Sequence, residues 1–240
     1  MYHTHIVLVR SHHPGNLGSI LRAMKNFGVC HLSLVSPRFE LDHPDIKKMA
    51  CGAENLLSRI KRHSHLSEAL ALSHLVVGST RRIRFQKNRR HWHPCELRKW
   101  IKGQPARSRV SLVFGPEEAG LTNDELSLCQ KIVTIPTRQD FPSINLAQSV
   151  MILLYELSQL KGDGNLLKSS HQQKQATHRQ LESFYRHWEE VLLGIGFLDP
   201  QNPYRIMNQF RELLSRAQPT MREVGLLRAL CRKVLWASKT

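Results

Sequence analysis

The amino-acid sequence predicts an α/β domain built on a parallel sheet, followed by a small all-α domain. Short, continuously apolar runs recur in the first two-thirds of the chain, and helical patterns lie between them. After residue 160 the spacing of the apolar residues becomes purely helical. The chain has 240 residues, of which 41% are hydrophobic and 22% charged. This composition is typical of one or two folded domains and excludes wholesale disorder.

The predicted sheet has five strands, because continuous apolar runs are typical of strands that are covered on both faces. These runs are Ile6–Val9, Leu32–Val35, Leu75–Val77, Val110–Phe114 and Ile132–Ile135. Three helices are predicted between the earlier strands, near Ser19–Phe27, Pro44–Leu57 and Ser67–Leu72.

Two later helices have recognisable starts. Thr122 and Glu125 have the spacing of a capping box, in which each side chain satisfies a backbone amide of the other residue. Ser143 is predicted to be the N-cap of a strongly apolar helix that runs through Leu157.

Changes in composition predict the domain boundaries. Residues 1–160 are assigned to the α/β domain. Residues 161–177 are rich in Gly, Ser, Gln and Lys and are predicted to be a flexible linker. Residues 178–240, which begin with His178, are assigned to the helical C-terminal domain.

The charge of the chain predicts a polyanionic partner. Lys and Arg number 35 against 19 acids, which gives a net charge of +16, and nucleic acid is the commonest polyanion in a cell. RNA contacts are predicted on one acid-free segment, with Phe85 and Trp92 as stacking residues: Arg82, Arg84, Lys87, Arg89 and Arg90. The alternative is a solvated, disordered run. Further arginines of the C-terminal helices could hold RNA or support a dimer: Arg179, Arg186, Arg205, Arg211, Arg216 and Arg222.

Other classes of protein are disfavoured. The sequence contains neither an apolar run long enough to span a membrane nor a secretory leader, so we expect a cytoplasmic protein that does not bind membranes. Its five cysteines form no CxxC pair, and we expect no metal. The alternating His91, His93 and Cys95 are interpreted as solvated or RNA-facing residues.

Three loops follow predicted strands at one edge of the sheet, where open α/β sheets bind their ligands. They are Asn16–Arg22, Phe114–Leu121 and Ile135–Asn145. Each is ambiguous alone. An arginine such as Arg22 is commonly just solvated, the second loop could be a tight turn, and Asn145 could satisfy a neighbouring loop or face a ligand.

Taken together, the three loops resemble the three motifs of the SPOUT RNA ribose 2′-O-methyltransferases. The matching motifs are Asn16-x-Gly18-x-x-x-Arg22, Phe114-Gly115-x-Glu117-x-x-Gly120-Leu121 and Ser143-Ile144-Asn145-Leu146-Ala147. The sequence around Gly120–Leu126 and Asn145–Gln148 is most similar to the TrmJ branch, which methylates nucleotide 32 in the tRNA anticodon loop.

The resemblance implies a C-terminal trefoil knot in the α/β domain, S-adenosylmethionine as cofactor, tRNA as substrate, and a homodimer with the active site at its interface. It further implies a cofactor pocket formed by Ser79, Thr80, Arg81, Gly115, Glu117, Gly120, Ile135, Pro142, Ser143 and Ile144. The catalytic residues it implies, around the ribose and the methyl donor, are Asn16, Arg22, Glu117, Ser143 and Asn145.

Two alternatives remain open at this point. The first alternative is an rRNA-directed enzyme of the same fold, because the motifs define the reaction better than the substrate. A non-catalytic RNA-binding protein that kept the fold is the other. Within the enzymatic interpretation, we expect Arg22 to stabilise the developing 2′-oxyanion, because an arginine stays protonated and is a poor base.

Overall fold

Parallel strands form the centre of the first structural unit. The structure is a computed structural model that describes residues 3–81, 90–105, 107–162 and 175–238. Within these ranges seven strands form one sheet in the order β3-β2-β1-β6-β4-β7-β5, and every neighbouring pair is parallel. The strands are β1 (His3–Val9), β2 (His31–Val35), β3 (Lys61–His63), β4 (Leu75–Ser79), β5 (His91–Trp92), β6 (Arg109–Phe114) and β7 (Lys131–Val133). The predicted parallel α/β fold is confirmed.

Helices cover both faces of this sheet. One face packs against α1 (Pro14–Asn26), α2 (Pro44–Ala50), α4 (Pro94–Lys102) and α6 (Leu146–Ser158). The other face packs against α3 (Leu66–Leu70) and α5 (Asn123–Ser127). Short 3₁₀ helices occupy Glu54–Arg59 and Gln159–Gly162. Burial on both faces explains why the central strands read as continuous apolar runs.

Two of the predicted helix boundaries were wrong. Helix α1 begins at Pro14 rather than near Ser19, because proline at a first helical position already has the required φ and needs no hydrogen-bond acceptor. The helix predicted to reach Leu57 ends at Ala50. Cys51 and Gly52 follow it with φ values of 45° and 86°, so the chain leaves the α-helical region there. The Thr122–Glu125 capping box is confirmed.

A row of polar side chains crosses four neighbouring strands on one face of the sheet. The imidazole of His5 hydrogen-bonds the hydroxyl groups of Ser111 (3.0 Å) and Ser33 (2.9 Å), and Ser33 also contacts His63 Nε2 at 3.2 Å. Burial, and then the nearby cationic groups, lower the pKa of His5 to about 4. The folded protein therefore holds His5 neutral under conditions in which an unfolded chain would protonate it.

We expect acid to destabilise the α/β unit through His5. Because the folded pKa lies below the ordinary value of 6.5, the stabilisation is complete above about pH 6.5 and is lost as the pH falls towards 4. Between pH 7.5 and 5 this single group costs about 2 kcal/mol of unfolding free energy. Urea unfolding of His5→Gln should show a correspondingly flatter pH dependence, whereas the exposed control His65→Gln should behave like the wild type. Identical pH curves for all three proteins would contradict the assignment.

The second unit comprises residues 71–74 and 169–240 and is helical, as predicted. Its helices are α7 (His178–Gly194), α8 (Tyr204–Ala217) and α9 (Met221–Ala237), which share a core that includes Phe184, Met207 and Cys231. Of the predicted linker, residues 163–174 lie outside the described residues. Residues 175–177 are described, and the Ala176 amide donates to Pro219 O at 3.1 Å within this unit.

One of the arginines considered for RNA or dimer contacts, Arg211, has partners within this unit. Arg211 forms a two-pronged ion pair with Glu182, and its guanidinium lies 4.4 Å from the centre of the Tyr185 ring. The side chain is thus committed to the packing of α7 against α8. Across the described parts of the chain, no helix has the length and apolar character needed to cross a membrane.

Candidate active site

A cavity opens at the carboxyl ends of β4, β6 and β7. All ten residues predicted to form the cofactor pocket line it: Ser79, Thr80, Arg81, Gly115, Glu117, Gly120, Ile135, Pro142, Ser143 and Ile144. The lining also includes Phe114, Pro116, Glu118, Ala119, Leu146 and Ser149, which the sequence analysis did not select. Segments far apart in sequence therefore meet around one space.

The loop after β6 folds back tightly on itself. A Cβ atom at Gly115 would lie 2.3 Å from both the Gly120 carbonyl carbon and the Leu121 nitrogen, so only glycine fits there. Gly120 has φ +67° and donates its amide to Pro116 O at 2.8 Å, which closes the turn. The loop is thereby held in a tight turn in the wall of the cavity.

A chain of hydrogen bonds joins the three predicted motifs. Asn16 Nδ2 donates to Glu117 Oε1 at 2.8 Å, and Asn145 Nδ2 donates to Asn16 Oδ1 at 2.9 Å. Glu117 also accepts from the backbone amides of His12 (3.1 Å, to Oε2) and His13 (3.4 Å, to Oε1). The start of α1, the loop after β6 and the start of α6 are therefore held together by side chains.

The start of α6 dictates the direction of every bond in this chain. Asn145 Oδ1 accepts from the amides of Ala147 (2.8 Å) and Gln148 (3.4 Å), so its NH₂ group must face Asn16. Asn16 must then accept with its oxygen and donate with its nitrogen, and the group that receives this donation is the Glu117 carboxylate. The orientation of both amides follows from the helix terminus.

The predicted N-cap of α6 was wrong. Asn145 caps the helix, which begins at Leu146, whereas Ser143 lies two residues earlier, exposed, in the wall of the cavity. Both residue types are good N-caps, but only Asn145 is at the position from which an oxygen reaches the amides of the first turn. The apolar surroundings of Asn145 in the sequence suggested a position inside the helix, but Asn145 lies at the helix terminus.

The Glu117 side chain is held as a carboxylate. Burial by itself would raise its pKa, but the hydrogen bonds from Asn16, from its own backbone and from the amides of His12 and His13 outweigh burial and lower the pKa below its usual value. At neutral pH this group is a fixed negative charge and a poor proton acceptor.

Arg22 does not line the cavity. It lies six residues beyond Asn16 on α1, and its side chain is exposed. Within the described residues it makes no hydrogen bond or ion pair. Glu117 and Ser143 thus line the cavity, and hydrogen bonds link Asn16 and Asn145 to Glu117. Arg22 has neither relation to the cavity of its own protomer.

Three supporting contacts were missed by the sequence analysis. The Thr134 hydroxyl donates to Thr80 O at 2.8 Å and contacts His91 Nδ1 at 2.8 Å, which fixes part of the cavity wall. Arg10, with φ 47°, forms a two-pronged ion pair with Glu125, the glutamate of the capping box. These partners are 54, 43 and 115 residues apart, so no local pattern signals them.

The predicted RNA segment is described only at its end. Arg82, Arg84, Lys87 and Arg89, together with Phe85, lie outside the described residues. Arg90 is exposed, forms an ion pair with Glu96 and lies 4.7 Å from the centre of the Trp92 ring. The Trp92 ring also contacts Lys131 and Trp100, so protein contacts already occupy the predicted stacking residue.

The alternating trio near Arg90 has mixed surroundings. His91 is partly buried in β5, which differs from the predicted solvated role, whereas His93 and Cys95 are exposed at the start of α4. The described ranges contain no group of three His, Cys, Asp or Glu side chains that could hold a metal ion.

Comparison with known proteins identifies the chain. Residues 3–155 match the SpoU rRNA Methylase family, and residues 179–240 match the C-terminal domain of the tRNA methyltransferase TrmJ. The tRNA (cytidine/uridine-2′-O-)-methyltransferase TrmJ of Sodalis glossinidius is 37% identical over 237 residues, which cover 96% of this chain and 90% of that protein. The crystal structure of TrmJ from Z. mobilis ZM4 superposes with a TM-score of 0.82 at 31% identity, covering 96% of this chain and 98% of the other.

The chain therefore belongs to the SpoU methylase family. Within that family it is an enzyme of the TrmJ group of tRNA 2′-O-methyltransferases. The methyl donor of the family is S-adenosylmethionine. The SpoU methyltransferase AviRb from Streptomyces viridochromogenes was solved with that cofactor bound. It shares the fold with a TM-score of 0.53 at 20% identity, covering 69% of this chain and 59% of AviRb.

Arg10 offers a first test of how the loops are held. Two residues after Arg10, the backbone amides begin to bind Glu117, so we expect Arg10→Ala to lower methyl transfer about tenfold by loosening those amides. Arg98–Glu156 is a matched ion pair, with side-chain exposures of 34% and 23% against 32% and 12% for Arg10–Glu125. Arg98→Ala should shift the midpoint of thermal unfolding comparably and leave kcat unchanged. Equal kcat values for the two variants would refute the role of Arg10.

Proposed function

We propose that this chain transfers a methyl group from S-adenosylmethionine to the ribose 2′-hydroxyl of a cytidine or uridine in tRNA, at nucleotide 32 of the anticodon loop. The observation that carries the proposal is the Asn145–Asn16–Glu117 chain of hydrogen bonds, which draws three separate motifs to the edge of one cavity. A protein that only binds RNA has no need for this arrangement. Because tRNA is the proposed substrate, we expect the enzyme to work in the cytoplasm.

The cavity suits the proposed cofactor. Ile135 and Ile144 in its lining offer apolar contacts for an adenine ring. The fixed negative charge of Glu117 favours a ligand that carries a positive sulfonium, and the exposed Arg81 can pair with the cofactor's carboxylate. When bound, S-adenosylmethionine supplies a methyl group that is already activated for transfer.

The remaining task of the protein is to align the ribose and to help it lose a proton. Asn16 and Asn145 have fixed orientations beside the cavity and therefore hold the acceptor without reorganisation. Arg22 stays protonated and stabilises the developing negative charge on the 2′-oxygen, while the hydroxyl proton passes to water or to an RNA phosphate. Ser143, exposed in the cavity wall, offers a hydroxyl to the ribose or to the cofactor.

A homodimer completes this site. Arg22 lies on an exposed face of α1 outside its own cavity, so we propose that it acts in the cavity of the second protomer. Met151 and Tyr155 support such an interface, because these large apolar side chains lie one turn apart and exposed on α6. The chain returns from β7 to α6 beside α1, and we propose that the family's trefoil knot forms along this return path.

Methylation of total tRNA and, in a parallel reaction, of rRNA with labelled S-adenosylmethionine, followed by mapping of the modified ribose, tests the proposal. We expect label at the 2′-oxygen of nucleotide 32 and none in rRNA, and RNA affinity that falls steeply with salt because phosphate contacts release counterions. S-adenosylmethionine should also raise the midpoint of thermal unfolding. Label in rRNA alone would support the rRNA-directed alternative, and RNA binding without any cofactor-induced shift would support the non-catalytic one.

A further inference from the structure

The end of the sheet opposite the cavity is strongly cationic. The first residues of four neighbouring strands are His31, Lys61, His3 and Arg109, and all four are exposed. Arg59 lies just before β3 and is exposed too. We name these five residues the cationic edge. Because parallel strands share one direction, the cationic edge runs across the amino ends of β3, β2, β1 and β6.

Negative charge is missing from the last few residues before these strands, and the nearest acid in the chain is Glu54, at the start of the 3₁₀ helix that leads into β3. Residues 27–31, 57–61, 103–105 and 107–109 contain no Asp or Glu. Loops at the opposite end of the same sheet do carry acids, including Glu40, Glu117 and Glu118. The amino ends of these strands therefore differ in charge from the loops at their carboxyl ends, and the cationic edge is a distinct feature of the surface.

The charged residues of this edge disfavour the protonated form of His31. Burial, and then the nearby His3, Lys61, Arg109 and Arg59, lower the pKa of His31. Like charges on neighbouring strands repel and destabilise a sheet. A fold that keeps them together without acids between them gains nothing in stability, which points to a role in binding an anion.

The spacing of the cationic edge selects the kind of anion. Neighbouring strands lie about 5 Å apart, so the permanent cations Arg59, Lys61 and Arg109 form a row about 15 Å wide across the sheet. Such a row fits a polymer of phosphates better than one small ligand. Arg109 lies five residues before Phe114 of the cavity wall, about 17 Å along β6, whereas Lys61, which pairs in register with Ser33, lies three strands from β6 across the sheet.

We propose that the cationic edge binds the sugar–phosphate backbone of the substrate tRNA outside its anticodon loop. This inference rests on the proposed function, which supplies the tRNA. A nucleotide in the cavity and a second part of the same tRNA on the edge are compatible, since a tRNA is longer than the sheet. The edge contributes affinity for the whole tRNA and takes no part in methyl transfer.

The test compares full-length tRNA with an isolated anticodon stem-loop, using the double variant Arg59→Gln/Lys61→Gln. We expect its Kd for full-length tRNA to rise at least tenfold and the slope of log affinity against log salt to become shallower by one to two units, about one for each lost phosphate contact. Its Kd for the stem-loop should stay within twofold of the wild type. The matched control is Lys47→Gln/Lys48→Gln on α2, which removes the same charge from two exposed lysines and should leave both affinities unchanged.

Each result decides the question. An unchanged Kd for full-length tRNA overturns the proposal, as does an equal loss for both RNAs, because the edge would then not act on a remote part of tRNA. Loss of binding to an acidic protein, with tRNA binding intact, would assign the edge to a protein partner instead. Because Kd is measured without turnover, absence of methylation by the wild type would count against the proposed function only. A midpoint of thermal unfolding at or above the wild-type value would show that the double variant is folded.

Discussion

Replacing Arg22 with alanine should lower kcat for methyl transfer about 10²- to 10³-fold, because one preorganised cation aimed at a developing oxyanion contributes an effect of that size. S-adenosylmethionine affinity should not change, since Arg22 is proposed to act on the ribose 2′-oxygen and not on the cofactor. The measurement is single-turnover methylation of tRNA, together with calorimetric titration of the cofactor.

Two further variants separate the possible roles of Arg22. Arg22→Lys keeps the charge but loses the planar, two-pronged geometry, so partial activity would indicate a mainly electrostatic role. Lys25→Ala removes another exposed cation from the same helix and should retain full kcat. If Arg22→Ala turned over at the wild-type rate, the assignment would fail. If it lost cofactor affinity in parallel, Arg22 would instead belong to the cofactor site.

Glu117→Gln should lower kcat/KM about 100-fold, although it is nearly isosteric. Glu117 Oε1 accepts from Asn16 and His13, and Oε2 accepts from His12. An amide nitrogen in place of either oxygen would face an N–H donor, so the loop must shift, and a small misplacement of a reacting group is costly. Because the pKa of Glu117 is lowered, the wild-type contacts persist as the pH falls through the ordinary carboxylate range.

The matched control for Glu117→Gln is Asp124→Asn, which makes the same charge change at an exposed acid seven residues further along the chain. Its kcat/KM should remain within twofold of the wild type. Kinetics at two S-adenosylmethionine concentrations would reveal whether alignment or cofactor affinity is lost in Glu117→Gln. Equal activity of the two variants would mean that the hydrogen-bonded carboxylate does not position the site.

Much of the α/β sheet could be predicted because strands buried on both faces consist of continuous apolar runs. All five predicted strands are present. The two missed strands, β3 and β5, have three and two residues and consist of Lys61, Arg62, His63, His91 and Trp92. They lie at the two edges of the sheet, where polar residues are tolerated, so neither an apolar run nor alternation marks them.

The candidate site was predicted by resemblance rather than by local chemistry. No pattern within a motif states that Asn16 and Asn145 hydrogen-bond each other, because 129 residues separate them. The choice between Ser143 and Asn145 as the cap of α6 also depends on tertiary structure, since both residues suit the position. The Arg10–Glu125 ion pair could not be predicted either, because its two residues lie 115 positions apart in the sequence.

The direction imposed on the Asn145–Asn16–Glu117 chain has a consequence for how such an enzyme can change. The donor and acceptor groups of Asn145, Asn16 and Glu117 cannot be changed one residue at a time, since each hydrogen bond fixes the direction of the next. Neutral sequence change at one motif is therefore constrained by the other two. A design that moves this centre onto another scaffold would have to transfer all three motifs, together with the helix terminus that sets the direction of their hydrogen bonds.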